Sequence, residues 1–412
     1  MHSPSLSSVP PPQPAGVQPV QQVPSSLWVA VAFGISVAVC HGIGRFGYAL
    51  LLPAMRQDLG WTYELASWMN TANALGYVVG AVTGYLLLHR HSAARLFSVG
   101  LLMTVASVAV TGLSSSFAWL LCTRGLSGVG AAWAFACGGA MVAERFSAQA
   151  AVRGQATGAY FGCAGIGMVA AGLIVPAMLE QGGPAAWPGV WAVLGLLCAV
   201  LSVWPLREAC KSRAGPVRRS EQRVELRGLG AAMLAYFLFA AAHTGYVFFV
   251  FAWTRAQALP WQLGAGTWVL LGLGVMASPV LWRGALNRWP PVRVLSACCA
   301  VTFAGSLLPV LSAHGAAVAL SAAVVGAAIF IAPSAAALLV RQAMPSELWA
   351  SGIAIFTVVF SVGQALGSWA MGWIADSFSL SASLAVASAG LLLAALVGLM
   401  GRRDSGASVE AK

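Results

Sequence analysis

Four basic or titratable side chains, His41, Arg45, Arg124 and His243, lie inside runs that are otherwise almost wholly apolar. An ionisable group placed in hydrocarbon costs about 2.5–3.5 kcal/mol on insertion scales, so each is expected to face a cavity or a partner. None of the eleven acids lies in the middle of such a run. Asp58, Glu64, Glu180 and Asp376 border one side, and the rest border or occupy the other. A guanidinium presents five donors in a planar fork that fits a carboxylate bidentately, and a low dielectric strengthens such bonds. An arginine without a built-in acid therefore points to an anionic ligand, and a nearby histidine adds a proton that can be switched near neutral pH. His41 and Arg45 are four residues apart, so both project from one helical face, which Tyr48 continues. Asn70, Asn73 and Tyr77 form a polar stripe on the next run. With Arg124, His243, Tyr246 and Gln364 they make up the candidate substrate-binding set.

Each of these residues also has a plainer reading. Arg45 can snorkel to headgroups from a tilted helix. Arg124 can bind backbone carbonyls of neighbouring helices, and His41 and His243 can be hydrogen-bonded packing residues. Asn70, Asn73 and Gln364 can bridge helices, worth about 0.6 kcal/mol each. Trp68 and Trp268 are either cavity or core residues, whereas Trp61, Trp187, Trp261 and Trp349 fall at run ends as interfacial anchors.

Several chemistries find no residues to perform them. Neither H-E-x-x-H nor G-x-S-x-G nor clustered carboxylates occur, so no catalytic or metal site is expected, and an intramembrane enzyme is disfavoured. A G-x-x-x-x-G-K-[ST] loop is missing as well, which excludes ATP as an energy source within this chain. The eight cysteines contain no C-x-x-C pair and read as small core residues. No cofactor is expected.

The elements that position the candidate residues follow from composition. Of 412 residues 59% are hydrophobic and 8% charged, against about a quarter charged in a soluble domain, so the solvent of this chain is lipid. A bilayer core about 30 Å thick needs about 20 apolar residues per helix. Apolar runs near 27–52, 65–88, 95–113, 117–142, 154–178, 188–206, 229–253, 263–282, 293–312, 316–340, 350–374 and 379–400 predict an all-α membrane protein of twelve transmembrane helices. With the N-terminus inside, cytoplasmic segments carry 18 basic residues and outside loops only Arg56 and Arg255. That asymmetry predicts both termini in the cytoplasm and explains the +11 net charge without nucleic acid. Residues 1–26, free of Lys, Arg, Asp and Glu and rich in Pro, Ser and Gln, read as a disordered cytoplasmic tail and not as a cleaved signal.

The basic segment 207–228 divides the chain into six helices over 27–206 and six over 229–400, with a cytoplasmic tail at 401–412. Sliding the sequence by 198 residues lays Arg45-Phe46-Gly47-Tyr48 on His243-Thr244-Gly245-Tyr246, Arg90 on Arg288 and Gly165 on Gly363. One offset serving several helices predicts two parallel, pseudo-symmetric bundles with a site between them near midplane. Gly76, Gly80 and Gly84 give overlapping G-x-x-x-G steps, which predict close helix packing.

Arg124-Gly125-Leu126-Ser127-Gly128-Val129-Gly130-Ala131-Ala132 resembles the R-x-x-Q-G-x-G-A-A element of the major facilitator superfamily, with Ser127 at the Gln position. Gly284-Ala285-Leu286-Asn287-Arg288 is similar to its G-x-L-x-D-R gating loop with Asn at the Asp position, and the copy near Arg90 has Leu88 there. Gly158, Gly162, Gly165 and Gly167 are similar to the glycine-rich motif of drug antiporters, with Cys163 at the Pro position. Gly44-Arg45-Phe46-Gly47-Tyr48-Ala49-Leu50-Leu51-Leu52-Pro53, followed by Thr71-Ala72-Asn73-Ala74-Leu75-Gly76-Tyr77, resembles the YbfB/YjiJ-type subgroup. The resemblance spans roughly residues 27–400. It implies a monomeric secondary transporter of the inner membrane that uses alternating access, with Gly76, Gly80, Gly84, Gly128, Gly162, Gly165, Arg90 and Arg288 in packing and gating. Its expected partners are the bilayer, a small-molecule substrate and a coupling proton or ion. Together with the arginines, the expected cargo is a small organic anion. Efflux of hydrophobic drugs or cations is the alternative within the class, and a non-transporting sensor the alternative outside it, although a sensor needs a larger output domain than residues 207–228 supply.

Overall fold

In lipid every backbone donor and acceptor must be satisfied internally, and long apolar runs meet that demand as helices. The computed structural model describes residues 26–147, 150–212, 226 and 228–400. The expectations for the N-terminal tail, most of the central linker and the C-terminal tail lie outside the described residues.

Twelve long helical segments follow in order: α1 (Leu27–Asp58), α2 (Tyr63–Leu87), α3 (Ala93–Thr111), α4 (Phe117–Arg145), α5 (Val152–Gly182), α6 (Pro184–Cys210), α7 (Gly230–Ala256), α8 (Trp261–Arg288), α9 (Pro291–Leu311), α10 (Gly315–Ala343), α11 (Trp349–Ser377) and α12 (Leu380–Met400). Eleven of them are long and apolar enough to cross a membrane. The other, α2, has 25 residues, which is length enough at about 1.5 Å per residue, but its Asn70, Asn73 and tyrosines dilute its hydropathy. Hydroxyl caps start several helices: Thr62 Oγ1 accepts from the Leu65 amide at 3.1 Å, and Ser92 Oγ from the Arg95 amide at 3.3 Å. Gly60 and Gly183 turn the chain between helices with φ of 65° and 70°.

The first six helices pack together as one bundle and the last six as another. The bundles meet along α2 with α11, along α5 with α8, and where the second half of α1 crosses α7. An even number of crossings puts Leu27 and Met400 on one face, here termed the terminal face, opposite a distal face.

Backbone-to-backbone contact sets the tightest crossings, where only glycine fits. A Cβ on Gly76 would sit 2.0 Å from the Gly125 carbonyl oxygen, and one on Gly128 2.1 Å from that of Asn73, which locks α2 to α4. Gly80 and Gly84 continue that seam against Val129 and Trp133. Between the bundles, a Cβ on Gly165 would meet the Gly272 oxygen at 2.2 Å, while Gly162 lies against Pro279.

The two halves of the molecule differ in enclosure. Every residue from Ser36 to Leu52 on α1 and from Ala242 to Thr254 on α7 is buried, whereas nearer the terminal face both helices alternate between buried and partly exposed. Polar contacts join the distal ends: Asp376 on α11 accepts the Tyr63 and Glu64 amides of α2 at 2.9 and 2.7 Å, and Trp369 donates to Glu64 at 3.0 Å. Arg255 on α7 lies 3.8 Å from Glu180 on α5.

Candidate functional site

The site starts from an irregularity in α1. Ala38–Ile43 is a π-helical segment between two α-helical stretches, with the Gly44 amide donating to Val39 O at 2.8 Å and the Phe46 amide to His41 O at 2.9 Å. Such bulges widen a helix, release carbonyls from the regular ladder and are frequent at functional sites. Here the bulge presses on α5, where a Cβ on Gly42 would come within 2.4 Å of Ala164 O.

Arg124 meets carbonyls of the turn, residues 44–46, that follows this segment. It is 1% exposed, and its Nη1 donates to Gly44 O at 2.5 Å and its Nη2 to Arg45 O at 3.4 Å. The guanidinium carbon lies 5.4 Å from the ring centres of both Tyr48 and Trp191. Arg124 is thus engaged by the backbone of α1, the plainer of its two readings, with only Nε left unpartnered among its nitrogens at full burial.

Arg45 is in the opposite situation. It is 3% exposed, its Nε and Nη2 are buried without any hydrogen-bond partner, and no carboxylate among the described residues lies within 4.0 Å. Its guanidinium carbon stands 5.4 Å from the centre of the Tyr77 ring. Tyr77 in turn meets His41 edge-on at 5.6 Å, and His41 packs on Phe135 at 4.7 Å with its Nδ1 unpartnered. His41, Arg45 and Tyr77 therefore form one group. Both it and Arg124 are turned inward, away from lipid.

On the other bundle, His243 stacks on Phe239 at 4.8 Å and on Phe360 at 5.6 Å. Its Nδ1 is 2.9 Å from Phe239 O and its Nε2 is 3.3 Å from Gln364 Nε2. A carbonyl oxygen only accepts, so Nδ1 carries the proton and Nε2 accepts from the Gln364 amide, leaving Gln364 Oε1 unpartnered.

The other expected residues divide between bridging and packing. Asn70 donates to Ser368 of α11 across the interface and keeps Oδ1 unpartnered. Asn73 donates to Arg124 O at 3.1 Å, Tyr48 to Ala66 O at 2.7 Å, and the Tyr246 and Ser321 hydroxyls bond at 2.7 Å. Arg90 and Arg288 are exposed at the terminal face. Trp68, 38% exposed, faces outward, and Trp268 is core.

Sequence reading passed over the aromatic residues that surround this group. Phe135, Tyr160 and Phe161 cluster on one bundle with ring separations of 5.3–6.0 Å. Tyr236 packs on Phe360 at 4.8 Å on the other. Part of this was legible, because Tyr236, Phe239 and His243 fall at i, i+3 and i+7 on one face of α7. On the distal side Phe46 meets Phe248 at 6.1 Å and Phe330 at 6.2 Å, three rings from α1, α7 and α10 that no spacing rule connects. A separate cleft of about 630 Å³ opens at the distal ends of α1, α5, α7 and α8. Its charges are already engaged, Arg255 with Glu180 and Arg56 over the Tyr63 ring at 4.1 Å.

Two six-helix bundles enclosing an uncompensated polar group between them define a multi-pass membrane transporter of the major-facilitator fold. Solved structures agree on the fold. A bacterial homologue of the human lysosomal transporter Spinster, inward-facing and unoccupied, superposes with a TM-score of 0.67 at 15% identity over 91% of this chain and 96% of that one. Its occupied form gives 0.67 at 16% identity over the same shares, and the nucleoside transporter NupG, in a variant form, gives 0.68 at 11% identity over 90% and 99%. No curated protein matches the sequence. The family model described as "Uncharacterised MFS-type transporter YbfB" matches residues 37–399, and the chain belongs to that family of secondary transporters, which are not enzymes.

Proposed function

We propose that this transporter carries small organic anions across the bacterial inner membrane, coupled to protons, by rocking its two bundles around Arg45. The observation that carries this reading is the buried Arg45 guanidinium, whose Nε and Nη2 have no partner and whose charge has no carboxylate beside it. Retaining such a group costs stability, and a ligand that supplies a carboxylate offsets that cost only while it is bound.

Coupling follows from His243. In the observed arrangement the ring is neutral, with Nε2 accepting from Gln364. Protonation turns Nε2 into a donor, and Gln364 then turns its free Oε1 toward it. An anion on Arg45 favours that proton, and by linkage the proton favours the anion by the same factor. This supports symport.

The unbroken burial of Ser36 to Leu52 on α1 and of Ala242 to Thr254 on α7, with the Phe46 ring packed on those of Phe248 and Phe330, supports a site closed off from the distal face. With the basic loops on the terminal face in the cytoplasm, the site communicates with the cytoplasm in this state. The reading takes the monomer as the working unit, since each copy holds a whole site.

Proteoliposome uptake tests the proposal. Arg45→Ala abolishes transport, and Arg45→Lys retains little because a point charge lacks the fork. Full uptake by Arg45→Ala removes the anion reading.

A further inference from the structure

The surroundings of Arg45 narrow the cargo further, on the footing that the anion reading holds. Charge sets the first limit. Arg124 is tied to the carbonyls of Gly44 and Arg45 by both terminal nitrogens and keeps only Nε free, whereas Arg45 leaves Nε and Nη2 unpartnered together, the side-by-side donor pair that a carboxylate takes. A second carboxylate on the ligand would be desolvated with no partner of its own, which a low-dielectric chamber penalises heavily. The ligand therefore carries one negative charge.

Shape and surface set the second limit. From Arg45 toward the terminal face the lining is ring after ring. On one bundle Arg45 contacts Tyr77, which leads through His41 to Phe135. On the other, His243 is stacked on Phe239 and Phe360. Phe135 and Phe360 are only partly buried, so each keeps surface that the rest of the protein does not cover. On the distal side Phe46 packs on Phe248 and both residues are buried, which leaves little room for a ligand body there. A ligand anchored by its charge at Arg45 thus has its body directed toward the terminal face, between ring faces and edges. Aromatic pairs add about 0.5–1.5 kcal/mol to the burial of area alone, and aliphatic bodies forgo that increment.

We propose that the chamber takes aromatic monocarboxylates, the carboxylate held by Arg45 and the ring received between Phe135 of one bundle and Phe360 of the other. Benzoate and cyclohexanecarboxylate share charge and near-equal size and differ in flatness and π character, which makes them the deciding pair. The full-length protein, purified in detergent, is titrated with benzoate, cyclohexanecarboxylate, acetate, phthalate and benzyl alcohol while thermal stability is followed.

Benzoate is expected to bind about threefold to tenfold more tightly than cyclohexanecarboxylate, the aromatic increment expressed as an affinity ratio. Acetate, phthalate and benzyl alcohol fall well below both. Phe135→Leu and Phe360→Leu, which keep apolar bulk and spare the fold, each reduce that ratio toward one without changing acetate. Arg45→Gln removes the response to every acid.

The failures are distinguishable. Cyclohexanecarboxylate or acetate equal to benzoate, with the response still lost in Arg45→Gln, overturns the aromatic assignment and leaves the anion reading standing. Phthalate tighter than benzoate overturns the single charge. Benzyl alcohol equal to benzoate, acid binding that survives Arg45→Gln, or no stabilisation by any acid overturns both the inference and the reading beneath it.

Discussion

Replacing Arg124 and replacing Arg45 should move stability in opposite directions, although both are arginines buried to within a few per cent in the same bundle. Arg124→Ala removes the donors to Gly44 O and Arg45 O, at 2.5 and 3.4 Å, and leaves two carbonyls of the turn after the π-helical segment without these partners in a medium with no water. A hydrogen bond to a charged group contributes about 1.5–3 kcal/mol, and the longer contact counts for less. Removing the buried charge returns part of its desolvation cost, so the net loss is about 2–3 kcal/mol. Arg124→Lys keeps one donor for Gly44 O and loses about half as much. Arg45→Ala deletes a charge whose Nε and Nη2 make no bond, so it relieves desolvation and leaves stability unchanged or raised while transport is lost. Thermal unfolding read by a thiol-reactive dye suits the molecule, because Cys40, Cys137, Cys163, Cys198, Cys298 and Cys299 are buried and become reactive as the helices separate. Arg124→Ala should melt several degrees below the parent protein and Arg45→Ala at or above it. An Arg124→Ala protein as stable as the parent, or an Arg45→Ala protein as destabilised as Arg124→Ala, would refute the division of roles.

Three further outcomes follow from contacts between and within the bundles. Gly165→Val places side-chain carbons where the Gly272 oxygen stands 2.2 Å from a built Cβ, so it should cut transport by at least tenfold while the protein still reaches the membrane, checked by uptake normalised to membrane content. Asp376→Asn removes the negative charge that holds the α2 amides of Tyr63 and Glu64, weakening distal closure. Labelling of a Phe46→Cys protein by an impermeant maleimide from the distal side should then accelerate several-fold. His243→Gln removes the titrating ring facing Gln364, so anion uptake should lose its response to an imposed pH gradient while binding persists, and an unchanged response would exclude His243 as the coupling group.

Much of this protein is written in one-dimensional features. Long apolar runs force helices because lipid leaves the backbone no other partners, so the number of crossings can be counted from the sequence. The glycine steps at Gly76, Gly80 and Gly84 announce a close crossing, although only the fold names Gly125, Val129 and Trp133 as the surfaces they meet. The presence of arginines and histidines in apolar runs marks a site, because hydrocarbon tolerates them only with a reason.

What each of those residues does was decided in three dimensions. Arg45 and Arg124 are equivalent to any count of charge and hydropathy. One is bound to carbonyls 79 and 80 residues away in the chain and the other is not. That difference rests on the π-helical segment of α1 and on the rotation of α4, and neither has a sequence period. The pairing of His243 with Gln364 across 121 residues and the ring contacts of Phe46 with Phe248 and Phe330 likewise depend on helix rotation. Hydropathy fixes which helices lie in lipid but leaves their rotation to side-chain packing, and packing is a property of neighbours that only the folded chain brings together.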